Sequence, residues 1–421
     1  MLNYVSIQFP SSENAPQRVS YFYLNQERYA HEIAVVRFRD WDVRYNYIKP
    51  GDPVKCTIRG KDSTRQFVGY IHDIKPDISP GKQFVELTLI GASYKLKQAR
   101  QRVYYDTTAS QVVRQIAKEY GFSDYNVVDH PRVYSQIVQA GHTDLELMTK
   151  LAKQCGYTLR IQNTSVFFEP LTAEYTRGRD SSPSFVMRDS NDPRGSTLYS
   201  FRLFLGESTK YADAYKSNAQ VGGVDPANAD VTVVVNPTRP EVLRETSTAA
   251  PFDSFATNIT APTASEAAYE AYAIEQRNRF PYRAQVEVLG TADVSPDRSV
   301  YLSGIGPEYS GYWIVLSAQH KIVEESQNIL KYTTVLSLGS DSLGSANVWS
   351  DGRLVTTPEV VQRRQIVPGQ RNEVVNESSL YDRTNQVWLS DGVNAGLDTN
   401  TITSPTKTSY VISRLEKIGV L

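Results

Sequence analysis

Hydrophobic and polar positions alternate through the first hundred residues. IAVVRF, VKCTI, FVGYIHDI and FVELTLI are β-rich runs set apart by the polar breaks KPGDP, RGKDSTRQ and KPDISPGKQ. Short alternating runs between turn residues predict a small β-barrel or sandwich over residues 1–100. The period then changes. In TTASQVVRQIAKEYGF, Val112, Val113, Ile116, Ala117 and Tyr120 recur at helical spacing, as do Leu145, Met148, Leu151, Ala152 and Cys155 in GHTDLELMTKLAKQCGYTLRI. Both segments read T-x-x-[QE]-[VL]-[VM]-x-x-[IL]-A-K-x-x-G-[FY]. Thr108 with Gln111, and Thr143 with Glu146, have the spacing of a capping box, in which the threonine side chain and the residue three on satisfy two otherwise unpaired backbone donors. Gly121 and Gly156 stand where a helix ends in a left-handed residue. TLRIQNTSVFFEP follows as a hairpin around Gln-Asn-Thr-Ser, so residues 101–195 read as an α+β domain with two capped helices and a hairpin.

Alternation returns in STLYSFRLFLG and in QVGGVDPANADVTVVV, read as a meander with turns at Gly222-Gly223 and Asp225-Pro226. Residues 237–262 are polar and read as a surface loop, and Thr263 with Glu266 caps an Ala- and Glu-rich helix over 263–279. The pattern of the first domain then recurs. Pro296 and Val300 match Pro50 and Val54, Tyr309-x-Gly311-Tyr312 matches Phe67-x-Gly69-Tyr70, and the closing strands end at Gly91 and Gly339. Residues 196–345 are therefore expected to form a second β-barrel that carries the loop and the 263–279 helix. Residues 346–421 turn polar, with the echoes VWSDGR and VWLSDGVNAG, and read as an extended C-terminal arm. The fold class expected is mainly β with α+β insertions: two related small β-barrel domains separated by a helix-containing α+β domain.

Composition narrows the chemistry. The chain of 421 residues has a net charge of −1, so no global basic field favours non-specific nucleic-acid binding. Cys56 and Cys155 are the only cysteines, which rules out a disulfide framework and a cysteine zinc cage. The N-terminal stretch has no basic region followed by an apolar core, and no apolar run reaches membrane-spanning length, so a soluble protein without membrane insertion is expected. Gly60-Lys61 is followed by Asp62 where a phosphate loop needs Ser or Thr, and Gly304-Ile305-Gly306 runs into Pro307 and opens no helix. The five histidines, His31, His72, His130, His142 and His320, are scattered. His142 and Cys155 align with Thr107 and Tyr120 of the other helix, so the shared residues are structural and the reactive ones vary. They read as a cap-side polar residue and a buried small hydrophobe. No catalytic, cofactor-binding or metal-binding residue is expected.

Taken in order, these features resemble the phage tail baseplate-hub family, which includes late control protein D of contractile phages and is related to the hub part of the type VI secretion spike. The features are the P-x-x-x-V strand, the aromatic-x-Gly strand, the L-A-K-x-x-G-[FY] helices, the G-V-D-P turn, the Ala-rich helix and the second β-domain ending in LGSDSLG. The resemblance covers about residues 30–345. It matches at Gly69, Gly121, Gly156, Gly222 to Pro226 and Gly311, all structural positions. It implies a homotrimer whose two barrels per chain form a pseudo-six-fold ring, joining a hexameric tail tube or distal tube protein above to a trimeric spike or tip protein below. Tape measure and baseplate wedge proteins are further expected partners, and DNA passes only in transit. The expected location is the virion tail baseplate, assembled in the host cytoplasm. The chain departs from the family in carrying no appended lysozyme or needle segment. A rival expectation is a cell-wall-degrading or peptidoglycan-binding tail protein, because V-x-x-I-A-x-x-Y-G also looks like a LysM-type module.

Overall fold

The computed structural model of the chain describes residues 4–9, 19–39, 48–60, 63–80, 82–171, 182–188, 195–204, 219–225, 230–235, 254–257, 264–277, 280, 282–326, 329–340, 360–365, 380–382 and 387–389. The first module holds β1 (Val5–Gln8), β2 (Val19–Glu27), β3 (Ile33–Phe38), β4 (Pro53–Arg59), β5 (Thr64–Ser79) and β6 (Lys82–Gly91), and ends in a 3-10 helix, Ala92–Lys97. After it come β7 (Ala99–Thr108), α1 (Ala109–Glu119), β8 (Ser123–Val127), β9 (Val133–Thr143), α2 (Asp144–Cys155), β10 (Tyr157–Gln162) and β11 (Ser165–Pro170). The remaining elements are β12 (Ser184–Val186), β13 (Leu198–Phe204), β14 (Ala219–Asp225), β15 (Asp230–Val235), β16 (Ser254–Thr257), α3 (Ala264–Arg277), β17 (Tyr282–Leu289), β18 (Ser299–Ser303), β19 (Gly311–Ser326), β20 (Ile329–Ser340), β21 (Val360–Gln365), β22 (Leu380–Asp382) and β23 (Val387–Leu389).

The described residues fall into two compact units. In the first, twelve strands form one sheet in the order β1-β4-β5-β6-β3-β2-β19-β20-β17-β13, with β18 on β19 and β12 on β18. Inward side chains alternate with solvent-facing ones: β2 buries Ser20, Phe22, Leu24 and Gln26, and β4 buries Val54, Cys56 and Ile58. The first module is rolled. β1 and β3 lie four ladder spacings apart, about 19 Å in a flat sheet, yet the Phe9 ring just after β1 lies 6.4 Å from that of Phe38 in β3. Two hydrophobic clusters result. One is built on Phe22, Val36, Phe38, Val54, Ile71 and Leu87, the other on Val286, Val288, Val300, Trp313, Leu336 and Leu338.

Strand order repeats between the two modules: β4-β5-β6-β3-β2 in the first, β18-β19-β20-β17-β13 in the second. The ladders fix the correspondence residue by residue, because bulges recur at the same places. β2 slips against β3 at Ser20 and β13 slips against β17 at Tyr199; β5 slips against β6 at His72 and β19 slips against β20 at Leu316. Counting from the bulges, Phe22 corresponds to Phe201, Leu24 to Leu203, Val36 to Val286, Ile71 to Val315 and Leu89 to Leu338. Val54 and Val300 correspond as expected. Gly69 and Gly311 do not, since Val54 lies opposite Gly69 whereas Val300 lies opposite Trp313 and Gly311 opposite Leu302. The offset is two residues, which preserves the facing of every side chain.

Between the modules, β10-β11-β8 form a three-stranded sheet against α1, beside the two-stranded ribbon β7-β9. Thr108 and Gln111 close the capping box of α1 in both directions, and Thr143 and Glu146 do the same for α2 at 2.8 and 3.2 Å. The second unit contains β16-β14-β15-β21 with α3 against β14 and β15, and the hairpin β22-β23. Three expectations change here. Gly222 and Gly223 lie inside β14, opposite Val233 and Thr232, and make no turn. The 237–262 loop contains β16; its other residues lie outside those described. The segment β14 to α3 belongs to the second unit and not to the sheet of the second β module, and β21 from the C-terminal arm completes its sheet by pairing with β15, so that part of the arm is not free-standing.

Candidate assembly interface

The internal seam between the two β modules is an edge-to-edge contact of β2 with β19. Tyr21 lies opposite Val323, Phe22 opposite Ile322, Leu24 opposite His320 and Glu27 opposite Ser317. Phe22 and Leu24 are fully buried, and Ile322 is 1% exposed. The second module also lends Ala292, Ile322 and Tyr332 to the first module's core, where Tyr332 meets Tyr4 edge-on at 5.8 Å.

Several polar groups caught in this seam are hydrogen-bonded. The Tyr332 hydroxyl donates to the Thr291 carbonyl at 2.8 Å, which leaves its oxygen to accept from His320 Nδ1 at 2.9 Å. Burial, helped by the Arg65 charge, pushes the His320 pKa down to about 3, so the ring is neutral. Arg65 reaches across from β5 to donate to the carbonyls of Val294 and Ala292. Beside it Glu32 accepts from Gln26 Nε2. Burial raises the Glu32 pKa while the Arg65 charge opposes that rise.

A second cluster fastens the α+β domain to both modules. Asp297 lies at φ 70°, almost fully buried, and its carboxylate faces Arg28 Nε, Arg160 Nε at 3.3 Å and the Thr158 hydroxyl, which donates at 2.8 Å. Arg160 also faces Glu169 at 3.9 Å. Two guanidinium groups thus meet two carboxylates within a nearly dry space, so the cluster is charge-balanced. The β2–β3 turn supports it: Tyr29 N–H donates to the Leu159 carbonyl at 2.9 Å and its hydroxyl to the Tyr157 carbonyl at 2.8 Å. Alternation in β10 explains the geometry, with Leu159 and Ile161 on one side and Thr158 and Arg160 on the other, all buried.

The residues that looked reactive in sequence are not brought together. His142 is exposed beside Glu146 at 3.9 Å, and Cys155 is buried. His31 pairs with Ser93 at 2.7 Å, and His72 sits exposed at the β5 bulge, edge-on to Tyr94. His130 is buried against Tyr157, and burial lowers its pKa to about 4. Gly304 and Gly306 sit in turns at positive φ, and Lys61 lies outside the described residues. Among the described residues no group of three or more His, Cys, Asp or Glu could hold a metal ion, and no helix is long and apolar enough to cross a membrane. An open depression on the α+β domain, about 510 Å³, is lined by Arg102, Val103, Tyr104, Tyr105, Thr107 and Gln115, a lining without the carboxylate pair that glycoside hydrolysis uses.

Solved structures share this fold. A tail protein from Neisseria meningitidis MC58 is 13% identical, with a TM-score of 0.57 over 80% of this chain and 96% of that one. The 43 kDa tail protein of prophage MuSo2 from Shewanella oneidensis is 14% identical, with a TM-score of 0.56 over 79% and 97%. An E. coli component of the type VI secretion system, described as structurally similar to the T4 tail proteins gp27 and gp5, is 10% identical, with a TM-score of 0.52 over 85% and 80%. No curated protein matches the chain by sequence. The family model for the phage tail baseplate hub (GPD) matches residues 32–326, from β3 of the first module to β19 of the second, more than half of the chain, and the chain therefore belongs to that family.

Proposed function

We propose that three copies of this hub protein close a ring of six β modules, which joins a six-fold tail tube or distal tube protein above to a three-fold spike or tip below. The observation that carries the reading is the repeated strand order, with one module already seated on the other through β2 and β19. A chain with two like modules offers nearly the same lateral contact six times in a trimer, while its unrepeated parts keep three-fold symmetry. In this reading residues 1–100 and the second module within 196–345, together with β12 on its β18, form the ring, the rest of 101–195 lies outside it, and 346–421 meets a partner such as a tape measure or baseplate wedge protein. The ring conducts DNA in transit, and the protein acts through its surfaces and not by catalysis. A strongly basic lumen would retain DNA by counterion release, and purified protein should bind duplex DNA only weakly at physiological salt. The protein is placed in the virion baseplate after assembly in the host cytoplasm. Particles produced without this chain should carry tubes that lack the spike; complete, infective particles lacking it would overturn the proposal. A zymogram with purified protein should show no clearing of cell wall.

A further inference from the structure

The correspondence between the modules identifies two strand edges that lack, among the described residues, the neighbour their counterparts possess. In the second module the C-terminal half of β19 is covered by β2. Its counterpart in the first module is the C-terminal half of β5, and among the described residues the outer edge of that half has no ladder partner. The counterpart of β2 is β13, whose outer edge is likewise without a ladder partner among the described residues. Exposure follows. Ile322 is 1% exposed where its counterpart Ile78 is 67% exposed, and Phe22 and Leu24 are fully buried where Phe201 and Leu203 are only partly so.

We propose that β13 of one copy pairs antiparallel with the C-terminal half of β5 of the next, in the register of the internal seam. This inference rests on the ring reading and assigns its lateral contact. Transferring the β2–β19 register places Ile78 opposite Phe201, Pro76 opposite Leu203 and Ser79 opposite Ser200, and it sets Asp77 against Arg202. The last pair was not used in deriving the register, and its charges are complementary. Pro76 occupies the place of His320. Proline within a sheet is tolerated where its absent N–H faces the outer edge, so this seam has one backbone donor fewer than the internal one. Proline and the exposed charges of Lys75 and Asp77 also discourage indiscriminate strand addition to a lone chain. The contact is heterologous, so it propagates head to tail, and with the rotation of a three-fold axis it closes as a ring.

Directly opposed residues of an antiparallel pair have Cα atoms about 4.5–5.5 Å apart, within the range a disulfide spans. Assembled particles carrying both Ile78→Cys and Phe201→Cys, oxidised and run without reductant, should therefore yield linked species that end at three chains. Cys56 and Cys155 are buried and give little background. Either single variant should yield no linked species. Absence of linkage in particles that contain the double variant would overturn the proposal, as would single variants that link equally well or species that end at two chains. Linkage that continues to six chains would uphold the edge contact and overturn the three-chain ring. Independently, Asp77→Arg and Arg202→Asp should each lower the yield of particles at least several-fold, and the double charge exchange should restore it; no restoration would overturn the assigned register.

Discussion

Asp297 shows what a single residue contributes to this fold. Its carboxylate is the meeting point of the β2–β3 turn, β10 and the second module, and it neutralises Arg28 and shares Arg160. Removing one member of a buried ion cluster leaves a partner charge uncompensated, at a cost of about 3–5 kcal/mol. Asp297→Ala should lower stability by about that amount, measured by urea denaturation, while His142→Ala at the exposed α2 cap should stay within about 0.5 kcal/mol of the parent. Two helix-terminal glycines offer a matched comparison. Gly121 and Gly156 have φ of 71° and 68°, but a Cβ at Gly121 would meet nothing within 4 Å, whereas at Gly156 it would lie 3.0 Å from Ala273 Cα and 3.1 Å from Gln276 Cβ. Gly121→Ala should cost about 1 kcal/mol, from the left-handed backbone alone, and Gly156→Val distinctly more. His320 gives a pH dependence of definite sign. Its folded pKa of about 3 lies below the ordinary 6.5, so the unfolded chain binds the extra proton in between and stability falls as pH is lowered from about 6.5 toward 3. The slope it contributes is at most about 1.4 kcal/mol per pH unit. His130 adds in the same sense, and Glu32, whose folded pKa is raised, works in the opposite sense as pH rises above the usual carboxylate range. His320→Gln should reduce the slope by about one proton; an unchanged slope would remove His320 from this account.

Elements were legible where the local signal was self-contained. Both capping boxes and the terminal glycines of α1 and α2 could be read directly, since the partners lie three residues apart and the left-handed position admits few residue types. Thr108→Ala and Thr143→Ala should each cost about 1 kcal/mol in thermal or urea unfolding; a loss below about 0.3 kcal/mol in both would mean that tertiary packing, and not the caps, holds these helices. β2 was not singled out, although it carries the seam. Its solvent-side positions hold Tyr21 and Tyr23, which are themselves half-buried, so apolar character runs along both faces and period two is blurred. Gly222-Gly223 misled for the converse reason: paired glycines signal a turn locally, but in β14 the ladder with β15 overrides that preference. The Arg28–Asp297–Arg160 cluster has no local signature at all, because its members come from three separate parts of the chain and only the fold brings them together.

At the scale of the molecule, duplication was legible and its register was not. The aromatic-x-Gly match set Gly69 beside Gly311, whereas the ladders set Gly69 opposite Val54 and give that place to Trp313 in the second module. Glycine is required at 69 because a Cβ there would lie 2.3 Å from the Ile90 carbonyl oxygen. Trp313 fills its own site, buried in the second core with its indole N–H on the Tyr309 carbonyl at 3.0 Å. Two copies of one module have thus diverged at the residues that look most alike while retaining their bulges, strand order and inward positions, as expected when backbone pairing and core phase are the constraint. That retention is what makes a ring of like lateral contacts available to a chain carrying two modules. Reconstruction of the tail tip in an assembled particle by electron cryomicroscopy tests this most directly. The account predicts a ring of six β modules contributed by three chains, alternating first and second module around the lumen, with β13 of each chain beside β5 of the next. A ring containing any other number of chains, or one in which modules of the same kind adjoin, would contradict it.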